Sequence, residues 1–452
     1  MTRLPDQGFL LGRAIPCATH SSFGFRSPRA PPSDSNDDYL VDKGDGHCIV
    51  FAPTGAGKKR NILLPTLLTA NNPVIVLDVK GELARESADY RRTVLGHQIC
   101  ILDPWKMVSD GADHFNPLDA IDPYSQSMPD DAYSMARLLV EQGGSMKEAY
   151  WDESAQALVS GLIAHVVTSL AENDRSFGRI WRLASADDMI YGLASLLDTQ
   201  TVHPFARAQI ASLLSLNAEV TRSCIVSVIH QHLRILASDA VQASLSTTTF
   251  DIDAVRAGAP LSIYLVAPPS KLRSHAALLR LWLATLLNLI LSRQSRPAQP
   301  TLLLLDEIAQ LGRMDQIPEI VTLARGYGMR CMLLLQSQAQ LKQAYPDDHE
   351  VMIENCAAMA TFGHTAFNMS RQMEDLLGDI SADKLFAMPK HQIAVRMAGQ
   401  RTQIADRVDY LTHPDLARRV GFNPMFSSSD PGSQPTGEPS PTNDNMSRAV
   451  GP

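Results

Sequence analysis

Apolar residues along this chain come in two rhythms. Eight short runs are nearly continuous in Ile, Leu, Val and Met: CIVFAP (48–53), PVIVLDV (73–79), QICILDP (98–104), LSIYLVAP (261–268), TLLLLDE (301–307), MRCMLLLQS (329–337), MATFG (359–363) and IAVRM (393–397). Runs of this length without polar alternation predict strands covered on both faces, the mark of a mainly parallel sheet flanked by helices. The second rhythm fills residues 125–240, in DDAYSMARLLVEQ, WDESAQALVSGLIAHVVTSLAE, FARAQIASLLSLN and RSCIVSVIHQHLRILAS. In the second of these, Ala155, Leu158, Val159, Leu162, Ile163, Val166 and Val167 recur at three- and four-residue spacing and form one apolar stripe. Together the two rhythms predict an α/β domain interrupted by an all-α insertion.

Neither rhythm reaches the ends. Residues 1–45 are rich in Pro, Ser, Gly and Asp and read as an irregular leader, and residues 425–452 have the composition of a disordered tail. The predicted order is therefore leader 1–45, first part of the α/β domain 46–124, insertion 125–240, second part 241–424 and tail 425–452. There are no internal repeats. The most membrane-like stretch, Ala276 to Ser292, is interrupted by Arg280 and falls short of the roughly 20 apolar residues needed to span a bilayer. It reads as a buried helix, and no transmembrane segment is expected.

Composition narrows the class without choosing a function. Of 452 residues, 45% are hydrophobic and 19% charged, as in an ordinary soluble globular protein. A formal net charge of −8 gives no global case for nucleic-acid binding, although a local basic channel stays open. The six cysteines are scattered, without CxxC or metal-spaced His partners, and no secretion signal precedes them; a cytosolic, reduced protein is the plain reading. The histidines show no metal spacing, and His364, near a strand end, reads as structural.

The first chemistry-bearing motif is VFAPTGAGKK, between an apolar strand and RNILLPTLLTA, which can start a helix. That is the setting of a phosphate-binding loop. Gly55 and Gly57 let the backbone of Pro53, Thr54, Gly55, Ala56 and Gly57 turn its N–H groups inward, and Lys58 would reach the β- and γ-phosphates of ATP. Two positions depart from G-x-x-x-x-G-K-[ST]. Ala52 replaces the first glycine, a mild change; Lys59 replaces the hydroxyl that normally ligates Mg2+, a more serious one. A glycine-rich turn that binds nothing is the competing reading. The second motif is TLLLLDE, where four leucines lead into Asp306 and Glu307. A carboxylate ending a buried strand costs free energy unless something pairs with it. With a phosphate loop upstream, Asp306 would hold Mg2+ through its waters and Glu307 would orient or deprotonate an attacking water. The alternative is a helix N-cap.

Several segments resemble the VirD4/TraG coupling proteins of type IV secretion and conjugation: APTGAGKKRNILLPTLL, VIVLDVKGEL, FNPLD, YWDESAQALVSGLIAHVV, FDIDAVRAGAPLSIYLVAPPSKL and LLLLDEIAQLGRMDQIPEIVTLARGYGMRCMLLLQSQAQL. The resemblance covers about residues 45–410, and FGHTAFNMSRQMEDLLGD (362–379) looks like the family's closing strand and helix. It implies a RecA-like P-loop nucleotide-binding domain with a parallel-rich central sheet and an all-α domain on the cytoplasmic face, forming a homohexameric ATPase ring. Many relatives carry Gly after the P-loop lysine, which implies that the hydroxyl is dispensable; Lys59, not being Gly, would pair with a phosphate, repel the metal or turn outward. Gln336 falls where RecA-like motors place a γ-phosphate sensor, or is a surface amide. Arg325 matches an arginine-finger position reaching the neighbouring subunit's ATP, or is a helix C-terminal Arg before a Gly cap. Asp78, Lys80 and Glu82 would contact nucleotide or the next subunit, or form a solvated turn. Asp152 reads as a cap or first-turn acid and Trp151 as core or staple.

The resemblance implies a motor that moves single-stranded DNA, relaxase or protein effectors toward type IV secretion machinery. Family members usually carry transmembrane helices; with none expected here, the chain would sit peripherally on the cytoplasmic face of the inner membrane. A substrate adaptor that hydrolyses ATP slowly or not at all is the alternative, with Lys59 in its favour. A DNA-translocating motor of the cell-division or packaging type is the third.

Overall fold

Apolar runs that need cover on both faces assemble into one sheet in the computed structural model, which describes residues 4–15, 38–141, 146–198, 202–364 and 366–424. The chain falls into two units, Met1–Gly421 and Phe422–Pro452. Only 422–424 of the second are described, without helix or strand, so the tail expected at 425–452 lies outside the described residues. In the first unit, β1 (Phe9–Ala14), β2 (Tyr39–Asp42), β3 (His47–Phe51), β4 (Val74–Asp78), β5 (Gln98–Leu102), β6 (Leu261–Val266), β7 (Thr301–Asp306), β8 (Met329–Leu335), β9 (Cys356–Phe362), β10 (Gln392–Met397) and β11 (Gln403–Asp406) lie in the order β2-β1-β11-β10-β9-β3-β8-β7-β4-β6-β5. From β9 to β5 every pairing is parallel, and from β9 outward through β10, β11 and β1 to β2 every pairing is antiparallel.

The parallel strands alternate between two cores. Cys48, Val50, Val74, Val76, Leu302, Leu304, Met332 and Leu334 face one side. That side is covered by α1 (Leu64–Leu67) and α2 (Glu82–Thr93). Ile49, Ile75, Leu77, Leu303, Leu305 and Leu333 face the other, where the longest apolar helix of this half, α11 (Ala276–Leu291), is buried along its length. Its Arg280 donates to the Leu311 carbonyl at 2.7 Å and pairs with Glu141. Its Trp282 indole donates to the Phe115 carbonyl at 3.0 Å. These bonds explain why polar groups interrupt a helix that is otherwise apolar.

Between β5 and β6 the chain is helical: α3 (Met128–Leu139), α4 (Met146–Ser169), α5 (Phe177–Ala184), α6 (Met189–Asp198), α7 (Pro204–Leu214), α8 (Glu219–Leu233), α9 (Asp239–Ser244) and α10 (Ile252–Ala257). Their buried residues run without a break into those beneath the sheet. The stripe expected on one face of α4 is wider than the spacing implies: every residue from Leu158 to Val167 is buried, because α3, α7 and α8 all pack on this helix. Gly161 is where α7 comes closest, since a Cβ there would meet the Gln209 Cβ at 2.7 Å. Asp152 is not a cap. The helix begins a full turn earlier, and the buried carboxylate faces His232 Nε2 of α8 at 3.6 Å. Trp151 is half-buried against the core with its ring 5.0 Å from that of Tyr150.

Residues 1–45 are not simply an irregular leader, because β1 and β2 complete the sheet's antiparallel edge. Their short sequences, FLLGRA and YLVD, lie outside any long apolar run, and the bond that fixes them is remote in sequence. Arg330 of β8, 2% exposed, donates to the Asp42 carboxylate at 2.6 Å, to the Asp42 and Gly46 carbonyls, and lies 4.4 Å over the Phe9 ring. Asp42→Asn would leave that guanidinium buried without its counter-charge, which costs about 3–5 kcal/mol when one partner of a buried pair is removed. The unfolding temperature of the variant should fall clearly below that of the parent in a thermal scan; an unchanged transition would mean that water reaches the pair.

Candidate functional site

Parallel strands bring their C-terminal ends to one edge, and that rule decides which candidate residues meet. At the end of β3 the ladder continues for one residue, with the Ala52 N–H donating to the Leu335 carbonyl at 3.0 Å. The chain then turns, with the Ala56 N–H on the Pro53 carbonyl at 3.2 Å and with Gly55 and Gly57 in left-handed conformations, φ +76° and +94°. Any side chain would be strained at those two positions. The turn closes through Asn61, whose backbone N–H and side-chain amide both donate to the Gly57 carbonyl, at 2.8 and 2.9 Å. A π-helical turn Lys59–Leu63 then leads into α1.

Lys58 and Lys59 part company here. Lys58 folds back over the loop, its Nζ donating to the Ala52 carbonyl at 3.0 Å. Burial lowers its pKa, while Asp306 and Glu307 raise it, which places both carboxylates within electrostatic reach of the ammonium. Lys59 turns the other way and pairs with Glu82 at 2.7 Å and Glu86 at 2.8 Å, both on α2. The second ammonium is thus directed to a pair of glutamates on the neighbouring helix.

The acidic strand end lies two strands from the loop, across β8. Burial, reinforced by the neighbouring charge of Glu307 and opposed by Lys58 and Lys80, raises the Asp306 carboxyl to about 6. Glu307 adopts the left-handed conformation at φ 55°, which costs a non-glycine residue on the order of 1 kcal/mol, and its Oε2 accepts from Gln310 Nε2 at 2.7 Å. Gln336 follows the end of β8, half-buried, its backbone N–H donating to Gln340 Oε1 at 2.8 Å. Beside it a small cavity is lined by Phe51, His364, Gln372 and Met373. His364 there bonds through Nε2 with the Thr361 hydroxyl at 3.0 Å.

Pro53 to Lys59, Asp306, Glu307 and Gln336 therefore meet at one edge. Arg325 does not join them. It is exposed in the turn Ala324–Tyr327 that precedes β8, at the opposite edge of the sheet. At about 3.3 Å per residue, the strand Met329–Leu335 keeps it roughly 20 Å from its own phosphate loop.

Asp78 and Glu82 prove more deeply engaged than a solvated turn. Leu77 pairs with Leu305, so Asp78 ends its strand beside Asp306. Asp78 is fully buried, accepts from the Ala84 N–H at 2.8 Å, and is raised to about 7 by burial, with Asp306 adding to the shift. Sequence reasoning missed Glu86, Arg407, Asp409 and Tyr410. Glu86 is one helical turn after Glu82, a spacing that could have marked the pair as a clamp for a cation. The other three come from beyond β11 and carry no local signal. Arg407 Nη1 donates to the Ala56 carbonyl at 2.7 Å, Asp409 pairs with Arg60, and the Tyr410 hydroxyl bonds with Glu86.

A glycine-bounded loop and lysine after one parallel strand, with a carboxylate pair closing a strand two places away, define a P-loop protein of RecA-like topology. The description of the type IV secretory system conjugative DNA transfer family matches residues 24–406, and the chain belongs to that family. The conjugal transfer protein TraG of Escherichia coli is 25% identical over 438 residues, 90% of this chain and 66% of that protein. VirD4 of Rhizobium radiobacter is 27% identical over 315 residues, 68% of this chain and 44% of that protein. The chain thus spans between 44% and 66% of the length of these relatives. Among solved structures, the unbound bacterial conjugative coupling protein TrwBdeltaN70 superposes with a TM-score of 0.61 at 14% identity, covering 82% of this chain and 86% of that one. The plasmid coupling protein TrwB in complex with ADP and Mg2+ gives 0.60 at 15% identity, over 80% and 85%. At these identities the likeness speaks for the fold, and it agrees with the parallel-rich α/β sheet expected from the apolar runs and with the RecA-like class that the resemblance implies.

The raised carboxyl of Asp78 carries a pH signature. Because its folded value of about 7 lies above the ordinary 3.8, the folded protein holds a proton that the unfolded chain releases. The resulting stabilisation is complete below about pH 4 and is lost as pH rises through 7. Asp78→Asn keeps an acceptor for the Ala84 N–H and removes the titration. Between pH 4 and 7 the parent should lose up to about 4 kcal/mol relative to this variant. Denaturant midpoints across that range would test it, and parallel pH profiles would refute it.

Proposed function

We propose that the chain is an ATP-driven coupling protein that recruits DNA, DNA–relaxase or protein substrates and drives them to a type IV secretion system. The observation that carries this reading is the meeting of the phosphate loop with Asp306 and Glu307 at one sheet edge, with Lys58 under the influence of both. The pairing of Lys59 with Glu82 and Glu86, which draws the second ammonium away, supports a competent site.

In this reading the N–H groups of the Thr54–Lys59 loop other than that of Ala56, which the Pro53 carbonyl already holds, and the Lys58 ammonium receive the phosphates of ATP, Lys58 exchanging the Ala52 carbonyl for a phosphate oxygen. Asp306 is the group that would hold Mg2+ through water, and the raised carboxyl fits, since a buried acid beside a second acid gains most from a nearby cation. Bound there, the metal supplies charge neutralisation at the phosphates. Glu307 orients or deprotonates the attacking water, and Gln336 reports the state of the γ-phosphate from the end of β8. Arg325, barred by the length of β8 from its own loop, serves the site of a neighbouring copy, which is the reason to expect a homohexameric ring. The names of the relatives support the role in conjugal transfer. TrwB structures with ADP and Mg2+ and with a non-hydrolysable ATP analogue support the choice of ligand. No helix among the described residues is long and apolar enough to cross a membrane. We place the chain at the cytoplasmic face of the inner membrane, with the secretion machinery as its partner there.

The first measurement is ATP hydrolysis with Mg2+, with and without single-stranded DNA. Lys58→Ala should lower turnover on the order of 100-fold or more, and DNA should raise it in the parent alone. ATP binding without turnover under any condition would overturn the motor and leave a substrate adaptor.

The ring has its own test. Arg325→Ala should cost on the order of 10³-fold in turnover, the range seen for arginine fingers. Mixed with the Lys58→Ala chain, it should recover part of its activity, because the Lys58→Ala copy supplies its intact Arg325 to the intact phosphate loop of the Arg325→Ala copy. Two inactive chains that stay inactive when mixed would remove the trans role of Arg325.

A further inference from the structure

The phosphate loop is held from a direction that its own motif does not contain. Arg407 follows β11 and is separated from the loop by most of the chain. Its guanidinium lies 4.0 Å over the ring of Phe362, at the end of β9. Its Nε donates to the Gln392 carbonyl at 2.8 Å and its Nη1 to the Ala56 carbonyl at 2.7 Å. A planar fork fixed at two donors and stacked on a ring has little freedom left. Burial lowers its pKa to about 10, which leaves it cationic at neutral pH.

The Ala56 carbonyl belongs to the same peptide unit as the Gly57 N–H. In a trans peptide these two groups point in opposite directions. Arg407, Phe362 and Gln392 belong to the flank of β3 formed by β9, β10 and the chain after β11, so a carbonyl turned toward them leaves the N–H turned toward the flank of β8 and β7. That flank carries Asp306, Glu307 and Gln336. The Gly57 N–H donates to no backbone or side-chain group among the described residues, so it is available to an anion. A cation on the carbonyl also polarises the peptide and strengthens its N–H as a donor.

We infer that Arg407 is a positioning residue of the phosphate loop: by fixing the Ala56 carbonyl, it aims and strengthens the Gly57 N–H as a phosphate donor. The inference rests on the ATP reading above. Arg407 touches no substrate itself and acts through the Ala56–Gly57 peptide. Its loss therefore weakens binding of ATP more than it slows the bound complex, and it loosens the loop before any nucleotide arrives.

Two readouts test this. Hydrogen–deuterium exchange over residues 53–59, measured without nucleotide, reports the loop; equilibrium binding of ATP and of inorganic pyrophosphate, with the split between KM and kcat, reports its use. Arg407→Ala should speed exchange in this segment, raise Kd and KM about tenfold or more, and change kcat less than threefold. Arg407→Lys retains one donor and should recover at least half of the loss on a logarithmic scale. Arg419→Ala is the comparator, since Arg419 comes from the same stretch but donates to the Leu68 carbonyl, away from the loop; it should change none of these values. Unchanged exchange and affinity in Arg407→Ala, in a parent that binds ATP, would overturn the role of Arg407 and leave the ATP site standing. Equal losses in Arg419→Ala would also overturn it, by showing a general loosening. A parent that binds neither ATP nor pyrophosphate would overturn both readings.

Discussion

Everything at this site depends on the desolvation of charges at the C-terminal edge of a parallel sheet. Strands buried on both faces carry whatever stands at their ends into a setting where an unmatched charge is costly. Four such charges meet here: Lys58, Lys59, Asp78 and Asp306. Three have partners within the chain: the Ala52 carbonyl for Lys58, two glutamates for Lys59 and the Ala84 N–H for Asp78. Asp306 is different, because the strongest charge acting on it is that of another acid, Glu307, which outweighs Lys58 or Lys80 and is held there in a left-handed conformation. Net negative charge at the mouth of an anion-binding loop makes sense only if a cation arrives with the anion. A nucleotide with its divalent metal has that composition.

The exchange of a hydroxyl for Lys59 is best understood as part of a set. An ammonium one residue after Lys58, directed at the same hollow, would compete with any metal ion. A carboxylate pair on α2 makes the outward rotamer the favourable one, and the Tyr410 hydroxyl joins the pair at Glu86. Glu86 is nearly inaccessible to water, and Lys59 at 2.8 Å gives its buried carboxylate a counter-charge. Lysine and glutamates stabilise each other, and the phosphate loop gains a second anchor to the helix that follows β4. At this position the ammonium ties the loop to α2.

Much of this was legible from local pattern. The parallel strands, the helical run between β5 and β6, the phosphate loop and the Asp-Glu strand end all declare themselves within windows of about ten residues, where periodicity and turn chemistry operate. What escaped is non-local. β1 and β2 are too short and too mixed to stand out, and they are fixed by Arg330, which reads as an ordinary strand residue. The burial of α4 on every side could not follow from a stripe, because the stripe reports one neighbour and α3, α5, α7 and α8 all pack on the helix. Asp152 reads as a cap or first-turn acid because an acid stands in a plausible position, while the helix begins well before it. Arg407, Asp409 and Tyr410 reach the loop only once the sheet has folded.

The antiparallel wing therefore has a role that its edge position does not suggest. A phosphate loop after a parallel strand is braced on one flank by the neighbouring strands of the same sheet, here β8 through the Ala52–Leu335 bond. Its other flank needs bracing too, since a loop that must present several N–H groups at once cannot wander. β9, β10 and β11 supply it, because Phe362 and Gln392 hold Arg407, which follows β11, against the Ala56 carbonyl. The wing is itself secured farther out, where β1 pairs with β11 and the Tyr39 hydroxyl meets His413 at 2.8 Å. Because these contacts form a chain of packed and hydrogen-bonded elements, displacement of the wing would be felt at the Ala56–Gly57 peptide. The same rigidity that fixes the donor also makes the far end of the chain a part of the site.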